Sequence, residues 1–476
     1  MPDIDGLLAE IEASPEGPQV AAFFDFDGTL IDGYSAVAYF RDRLMARDVG
    51  TEELLRSVAE SINVEMRGRD VHRLVEIAVG ALGGRTVDEV DAMGERLFRK
   101  NIAAMIFPEA RMLVDAHKRR GHTVVMASSA LTFQTTAAAR DLGIDDVLCT
   151  RLESRDGVLT GIVAGPILWG EAKATAVREF AAERGIDLAR SFAYGNGTED
   201  LIYLATVGRP RPLNPTDELA AAAAERGWPM ARLSRPQHVT PEVVVRSVAA
   251  YAGAATGFVA GLALGALNRD RSTAVEVMST VGSELALAAA GVELNVVGAE
   301  NLWAERPAVF IFNHQSQLDA IALPALLRSN FTGVAKKELQ KDPIFGPLGW
   351  LADVAFVDRA NTEEAKKALA PAVEALRNGR SLAMAPEGTR SATPRLGPFK
   401  KGAFHVAMQA GVPIVPVVLR NAGELMPAHA VLVSSGVLDI AVLPPVPTTG
   451  WTKDDLDAAV VDVRQMFLDT LANWPR

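Results

Sequence analysis

An uncharged segment restricts the fold of this chain more than any other feature. Ser247–Leu267, about 21 residues without an acidic or basic side chain, lies between two arginines and matches the ~20 residues that cross a hydrocarbon core. Glycine recurs in it at every fourth position, at Gly253, Gly257, Gly261 and Gly265. Such a face permits close helix–helix contact in a membrane, whereas in water each glycine costs about 1 kcal/mol relative to alanine. The pattern therefore favours a membrane helix over the alternative, a buried helix of a soluble core.

The chain is long enough for two or three domains, because 476 residues exceed one ordinary hydrophobic core. We predict a tail at residues 1–17, an α/β unit at 18–235, a linker with membrane-associating helices at 236–291, and a second α/β unit at 292–476.

Charge and cysteine content exclude some classes of protein. The net charge of -11 argues against nucleic-acid binding. The single cysteine, Cys149, excludes an internal disulfide and suits a reducing compartment. Residues 1–17 are acidic and lack the apolar core of a secretory signal, so we expect the N-terminal unit to stay in the cytosol.

The N-terminal unit alternates short apolar runs with helical patterns. The runs are Val20–Phe24, His122–Ala127, Asp146–Thr150 and Ser191–Tyr194. This alternation predicts a doubly wound parallel sheet. Residues 34–106 show helical patterns only, and we expect them to form a helical cap over the strand ends.

Two acids directly follow the first predicted strand. Asp25 and Asp27, in the sequence Asp-Phe-Asp-Gly-Thr-Leu, then lie at its carboxyl end, where open α/β sheets bind their ligands. This spacing suits an aspartate nucleophile that takes a phosphoryl group, with a second aspartate as acid and base.

This block resembles the haloacid dehalogenase superfamily, in its phosphoserine-phosphatase-like branch. Ser128, Lys173 and the block Gly195–Asp200 match further family positions in order. The resemblance implies that Ser128 and Lys173 hold the phosphoryl oxygens. It also implies Mg²⁺ bound by a set of four residues: Asp25, Asp27, Asn196 and Asp200. Asn196 departs from the usual aspartate, and because Mg²⁺ prefers anionic oxygen ligands we expect weaker metal binding unless Asp200 or Glu199 compensates.

A histidine and an aspartate five positions apart follow a strand-like run in the C-terminal unit. In Asn313–Asp319 a strand-to-helix turn can bring Asp319 onto one imidazole nitrogen of His314 and leave the other for a substrate hydroxyl. This arrangement is typical of a general base whose tautomer is set by the carboxylate.

The C-terminal unit resembles the glycerolipid acyltransferase family, in particular the lysophosphatidate acyltransferases. Four family blocks occur in order: Asn313–Asp319, Phe356–Arg359, Pro386–Arg390 and Val412–Pro416. The resemblance implies that the acceptor is bound by Arg359, Glu387, Gly388, Thr389 and Arg390. Lys336, in a small basic cluster, is a further candidate for the acceptor phosphate, and a solvated helix face is its alternative.

These resemblances lead to one main hypothesis. A membrane-attached acyltransferase moves an acyl chain from acyl-CoA or acyl-carrier protein to 1-acylglycerol-3-phosphate and forms phosphatidate. The alternatives are a phosphatase of a glycerolipid or small metabolite as the main activity, a different acceptor such as glycerol-3-phosphate or another lysophospholipid, and a non-catalytic N-terminal unit.

The membrane segment bears on location and partners. Because both units need cytosolic substrates, we expect attachment to the cytoplasmic face of the cell membrane, either monotopic or through one inserted hairpin. The apolar segment 273–290, which carries Glu276 and Glu284, forms the second helix of that hairpin. The glycine face 253–265 is a candidate surface for a homodimer.

Overall fold

The computed structural model describes residues 4–45, 68–233, 240–341, 345–357, 369–428 and 430–475. The chain forms two compact units, residues 1–237 and 238–476.

The first unit is built on a six-stranded sheet. Its strands are β1 (Ala21–Phe24), β2 (Thr123–Leu131), β3 (Asp146–Arg155), β4 (Val158–Ala164), β5 (Phe192–Gly195) and β6 (Arg209–Pro212). The spatial order is β4-β3-β2-β1-β5-β6, with every neighbouring pair parallel except the β3–β4 hairpin. The predicted doubly wound parallel sheet is confirmed, and β4 adds an antiparallel strand to one edge.

Strand β6 was not predicted from the sequence, because two of its four residues are prolines. Pro210 and Pro212 have no N–H to donate, which restricts such a segment to the edge of a sheet. β6 occupies that edge, and Arg211 on it pairs with Glu10 of the N-terminal helix.

Helices cover the strand ends and faces of this sheet. They are α1 (Ile4–Glu12), α2 (Ser35–Met45), α3 (Gly68–Gly80), α4 (Val87–Lys100), α5 (Pro108–Arg119), α6 (Thr132–Leu142), α7 (Glu171–Arg184), α8 (Leu201–Leu204) and α9 (Asp217–Glu225). Short 3-10 turns lie at Ile102–Met105, Leu188–Arg190 and Thr198–Asp200. α2, α3 and α4 lie within the predicted helical cap. The predicted cap residues 46–67 lie outside the described part of the chain.

The second unit contains a seven-stranded sheet. Its strands are β7 (Val292–Val297), β8 (Val309–Phe312), β9 (Phe331–Lys336), β10 (Ala355–Val357), β11 (Ser381–Met384), β12 (Ile414–Leu419) and β13 (Gly436–Val442). In the order β10-β9-β11-β8-β12-β13-β7, only the β12–β13 pair is antiparallel. The central strand β8 buries Val309 and Ile311 in the core on one face and Phe310 in the core on the other.

The helices of the second unit surround this sheet. They are α10 (Pro241–Asn268), α11 (Arg271–Ala290), α12 (Asn301–Ala304), α13 (Asp319–Leu327), α14 (Phe345–Leu351), α15 (Ala370–Arg377), α16 (Gly402–Ala410), α17 (Ala422–Leu425) and α18 (Leu456–Ala472). A 3-10 turn spans Lys337–Lys341.

Helices α10 and α11 form a hairpin through the glycine face. A Cβ placed on Gly257 would lie 2.2 Å from the Cα of Gly282, and one on Gly265 would lie 2.4 Å from the Cβ of Ala274. The glycines therefore let α11 of the same chain approach α10. This corrects the expectation of a homodimer through residues 253–265, because the chain's own second helix already covers that face.

Candidate active sites

The first site lies where β1, β2 and β5 end. Asp25 directly follows β1, Ser128 lies in the last part of β2, and Asn196 follows β5. Because β1 pairs in parallel with both neighbours, their carboxyl ends meet at one edge of the sheet. Lys173, near the start of α7, reaches the same edge. The structure thus brings together these residues, which lie far apart in the sequence.

Lys173 joins two acids inside the protein. Its Nζ lies 2.8 Å from Oδ1 of Asp25 and 2.7 Å from Oδ1 of Asp200, and all three side chains are buried. Burial lowers the pKa of Lys173, but the carboxylates of Asp200 and Asp25 outweigh it and raise that pKa well above its usual value. Lys173 therefore stays charged and can hold phosphoryl oxygens beside Asp25.

Asp27 is bound by a residue that the sequence analysis missed. The backbone N–H of Ser35 donates to Oδ1 of Asp27 at 2.7 Å, and its hydroxyl donates to Oδ2 at 3.1 Å. Burial raises the pKa of Asp27 to about 6, against these two hydrogen bonds that lower it. A pKa near neutral suits a group that both donates and accepts a proton. The sequence offered one signal for this contact, because Ser35 stands at the start of the predicted cap.

Glycine is required beside the acids. Gly28 has φ of +75°, and a Cβ there would lie 2.2 Å from Nδ2 of Asn196. The amide oxygen of Asn196 accepts from the Thr29 hydroxyl at 3.3 Å. The Asn196 side chain therefore packs directly over the Asp25–Gly28 turn.

The predicted metal ligands form two groups. Among the residues that the structure describes, no cluster of three or more histidine, cysteine, aspartate or glutamate side chains is arranged to hold a metal ion. Oδ1 of Asp200 accepts from Nζ of Lys173, and Oδ2 accepts from the backbone N–H groups of Asn196 and Gly197. Asp200 therefore positions the Lys173 ammonium and the loop after β5. Asp25, Asp27 and the amide of Asn196 still offer hard oxygen donors. Their excess of negative charge over Lys173 fits a divalent cation.

The second site begins at the end of β8. Nδ1 of His314 lies 2.7 Å from Oδ2 of Asp319, the first residue of α13. The same oxygen accepts the backbone N–H groups of Gln315 at 2.9 Å and Ser316 at 3.0 Å, and Asp319 is fully buried. An ionised carboxylate only accepts, so the Nδ1–H of His314 donates to it and Nε2 is left as the basic nitrogen.

Neighbouring polar residues fix this loop to the fold. The Asn313 side chain forms two hydrogen bonds of 2.7 Å with the backbone of Leu419, which joins the end of β8 to β12. The Ser316 hydroxyl accepts the N–H of Leu318 at 2.9 Å and donates to the carbonyl of Met426. The Ser316 side chain is therefore engaged just before the start of α13.

The Pro386–Arg390 block divides between support and surface. Glu387 is buried and accepts the backbone N–H groups of His314 and Gly397. Arg390 donates to the carbonyl of Ala428 at 2.8 Å. Gly388 has φ of +77°, and Thr389 is exposed. This geometry corrects the expectation that Glu387 contacts the acceptor. Its carboxylate is turned to the backbone and would repel a phosphate.

The candidate cations of the acceptor site differ in their placement. Lys336 ends β9 and is exposed, and Lys400 lies over Gly388, about where a Cβ on that glycine would meet its Nζ at 3.1 Å. Lys401 is paired with Asp457 at 2.6 Å. Arg359 lies outside the described residues. Lys400 therefore lies beside the Pro386–Arg390 block.

The two folds and their sites define a fusion of a phosphatase-like hydrolase unit with an acyltransferase unit. Residues 22–205 match the family model of haloacid dehalogenase-like hydrolases, and residues 293–420 match the Acyltransferase model. The chain belongs to the haloacid dehalogenase-like hydrolase family and carries an acyltransferase domain.

Relatives match each half separately. A putative hydrolase of Mycobacterium leprae is 34% identical over 234 residues, which are 48% of this chain and 78% of that protein. The 1-acyl-sn-glycerol-3-phosphate acyltransferase of Saccharomyces cerevisiae is 40% identical over 184 residues, 38% of this chain and 60% of the yeast protein. The chain thus spans less than two thirds of the yeast enzyme. A solved 1-acyl-sn-glycerophosphate acyltransferase from Thermotoga maritima is 25% identical, covering 49% of this chain and 98% of its own, with a TM-score of 0.42.

Proposed function

We propose that the protein transfers an acyl chain from an acyl thioester to 1-acylglycerol-3-phosphate and forms phosphatidate. The observation that carries this proposal is the His314–Asp319 pair, with Nδ1 tied at 2.7 Å and the side chain of His314 25% exposed. The names of the yeast and human relatives, at 40% and 37% identity, support the same reaction.

The reaction balances without an acyl-enzyme. Nε2 of His314 takes the proton of the acceptor hydroxyl while that oxygen attacks the thioester carbonyl. The carbon–sulfur bond breaks, and the imidazolium returns the proton to the leaving thiolate. The buried carboxylate of Asp319 stabilises the imidazolium between these two steps.

The acceptor phosphate is held by cations around this loop. Lys400, beside Gly388, and the exposed Lys336 provide positive charge, and Arg359 is the third candidate. A guanidinium is suited to bidentate binding of a phosphate. The acyl donor is a CoA or carrier-protein thioester.

The α10–α11 hairpin attaches the second unit to a membrane. Within the described part of the chain, α10 is the one helix long and apolar enough to cross a bilayer, and it exposes Val245, Val248, Val259 and Leu267. Two side chains tie the hairpin to the rest of the second unit. The hydroxyl of Tyr251 donates to the carbonyl of Val431, and Nε of Arg271 donates to the carbonyl of Leu351. A hairpin tied in this way supports monotopic attachment over a span that projects away from the unit. We place the attachment at the cytoplasmic face because both units need cytosolic substrates.

A lipid-product assay tests this proposal. Purified protein in phospholipid vesicles is given labelled acyl-CoA with 1-acylglycerol-3-phosphate, glycerol-3-phosphate or other lysophospholipids in parallel. We expect labelled phosphatidate from the first acceptor and its loss in His314→Ala. Equal labelling of all acceptors, or full activity in the variant, would contradict the proposal.

The buried Asp25–Lys173–Asp200 group favours a second activity, phosphomonoester hydrolysis. Asp25 attacks phosphorus and the ester oxygen leaves with a proton from Asp27; water then cleaves the aspartyl phosphate and returns a proton to Asp27. Asp25 and the amide oxygen of Asn196 would hold Mg²⁺, which would neutralise charge on the phosphoryl oxygens. Release of phosphate that needs Mg²⁺ and is lost in Asp25→Asn tests this. Its absence with every phosphomonoester tried would favour a non-catalytic unit.

A further inference from the structure

Glu387 is a buried acid whose two oxygens are both used inside the protein. Its side chain is 6% exposed. Oε1 accepts the backbone N–H of His314 at 2.9 Å, and Oε2 accepts the backbone N–H of Gly397 at 2.8 Å. The carboxylate therefore bridges the loop of the catalytic base and the turn that leads to Lys400.

His314 is held at three of its four polar atoms. Its N–H donates to Glu387, and its carbonyl accepts the N–H of Ser391 at 2.7 Å. Its Nδ1 is bound by Asp319. Glu387 and Ser391 thus hold the histidine backbone on both sides, while Asp319 sets the ring, and Nε2 is the atom left for substrate.

The other end of the bridge is equally fixed. The carbonyl of Gly397 accepts from Nε of Arg464 at 3.0 Å, and the N–H of Lys400 donates to the carbonyl of Pro386 at 2.8 Å. A Cβ on Gly397 would lie 2.8 Å from Oε2 of Glu387, so only glycine leaves room for the carboxylate. The turn thus transmits its position to His314 through one side chain.

The negative charge of Glu387 strengthens the two hydrogen bonds that hold this position. Burial raises the pKa of Glu387, and the two backbone N–H groups oppose that rise. A hydrogen bond from a backbone N–H to a charged carboxylate is stronger than one to a neutral oxygen.

We propose that Glu387 is a positioning residue of the acyl-transfer reaction: it fixes the backbone of His314 so that Nε2 meets the acceptor hydroxyl. This inference rests on the proposed acyltransferase activity. It separates Glu387 from the cations of the acceptor site, because the carboxylate acts through His314 and touches no substrate.

Glu387→Gln is the main test, measured on the full chain in vesicles with acyl-CoA and 1-acylglycerol-3-phosphate. The amide NH₂ faces a backbone N–H in place of an oxygen, so the loop shifts and kcat falls about 10²-fold. KM for the acceptor stays within about twofold. Glu374→Gln, at an exposed position of α15, is the charge-matched control and keeps wild-type kinetics.

Gly397→Ala separates position from charge. Its Cβ displaces the Glu387 carboxylate but leaves the charge, so kcat falls as in Glu387→Gln and KM for the acceptor stays within about twofold. A rise in acceptor KM at unchanged kcat in Glu387→Gln, or wild-type kinetics in both variants, would overturn the positioning role. A wild-type protein without transfer activity would instead overturn the proposed function, so the two failures are distinguishable.

Discussion

At the scale of single residues, one oxygen organises the acyltransferase site. Oδ2 of Asp319 accepts three donors, from His314, Gln315 and Ser316, and the carboxylate is buried where its charge is poorly screened. The local order of the residues in Asn313–Asp319 makes all three contacts possible. This is why the spacing in the sequence was sufficient to predict the pair.

Asp319→Asn is expected to lower the rate of acyl transfer by about 10²- to 10⁴-fold, because a neutral amide neither stabilises the imidazolium nor selects the Nδ1–H tautomer. The measurement is kcat with labelled acyl-CoA. Asp462→Asn, on the exposed face of α18, is the matched control. Activity within tenfold of wild type would contradict the assigned role.

At the scale of elements, two histidines fasten the end of α1 to the first sheet. Nε2 of His122 bonds to the carbonyl of Pro15 at 2.8 Å, so that nitrogen carries the hydrogen. His117 Nδ1 then donates to His122 Nδ1, also at 2.8 Å, and His117 Nε2 accepts from the hydroxyl of Tyr194 at 2.8 Å. Each tautomer is thereby set, and the chain of hydrogen bonds requires both rings to be neutral.

This network makes stability depend on pH. Burial lowers the pKa of His117 well below its usual value; burial, and more weakly Arg120 and Arg209, lower that of His122 against the raising bond to Pro15. A histidine whose pKa is lowered in the folded protein stabilises the fold fully above its unfolded pKa of about 6.5. That contribution is lost as the pH falls toward the pKa of the folded state. We expect the free energy of unfolding to fall by at most about 1.4 kcal/mol per pH unit for each proton.

Chemical denaturation of the first unit's transition between pH 7.5 and 5 measures this dependence. His117→Gln with His122→Asn should flatten the curve below pH 6.5, whereas substitution of the exposed His72 should leave it unchanged. An equally steep curve in the double variant would show that other groups take up the protons.

The hairpin is the second element whose packing decides its role. Gly257→Leu inserts a side chain where Gly282 lies within 2.2 Å of the Cβ position, so α10 and α11 must separate. We expect the free energy of unfolding to fall by about 1–3 kcal/mol, measured by thermal unfolding of the detergent-solubilised protein. Ala255→Leu, on the exposed face of α10, should have little effect. A similar loss in both variants would contradict the hairpin contact.

At the scale of the whole molecule, the described residues of each candidate site come from one unit. The described residues of the phosphatase-like site all lie before residue 237, and those of the acyltransferase site all lie after 238. The two chemistries are therefore expected to be separable by single substitutions.

In the full chain, Asp25→Asn should abolish phosphate release and keep acyl transfer, and His314→Ala should do the reverse. The effects of sites without shared partners add, so the double variant should lose both activities and gain no further defect. Parallel assays of phosphate and labelled phosphatidate measure this. A large fall of acyl transfer in Asp25→Asn would mean that the units depend on each other.

The sequence by itself determined the His314–Asp319 pair, the βαβ order of the first unit and the helical nature of segments 247–267 and 273–290, because each depends on spacing within one turn or one strand–helix step. Tertiary structure decided the partners of residues far apart in the chain. Glu387 meets His314 across 73 positions only because β11 lies beside β8, and the glycine face meets α11 only because the helices fold back. Such contacts depend on strand order and helix packing, which local spacing does not specify.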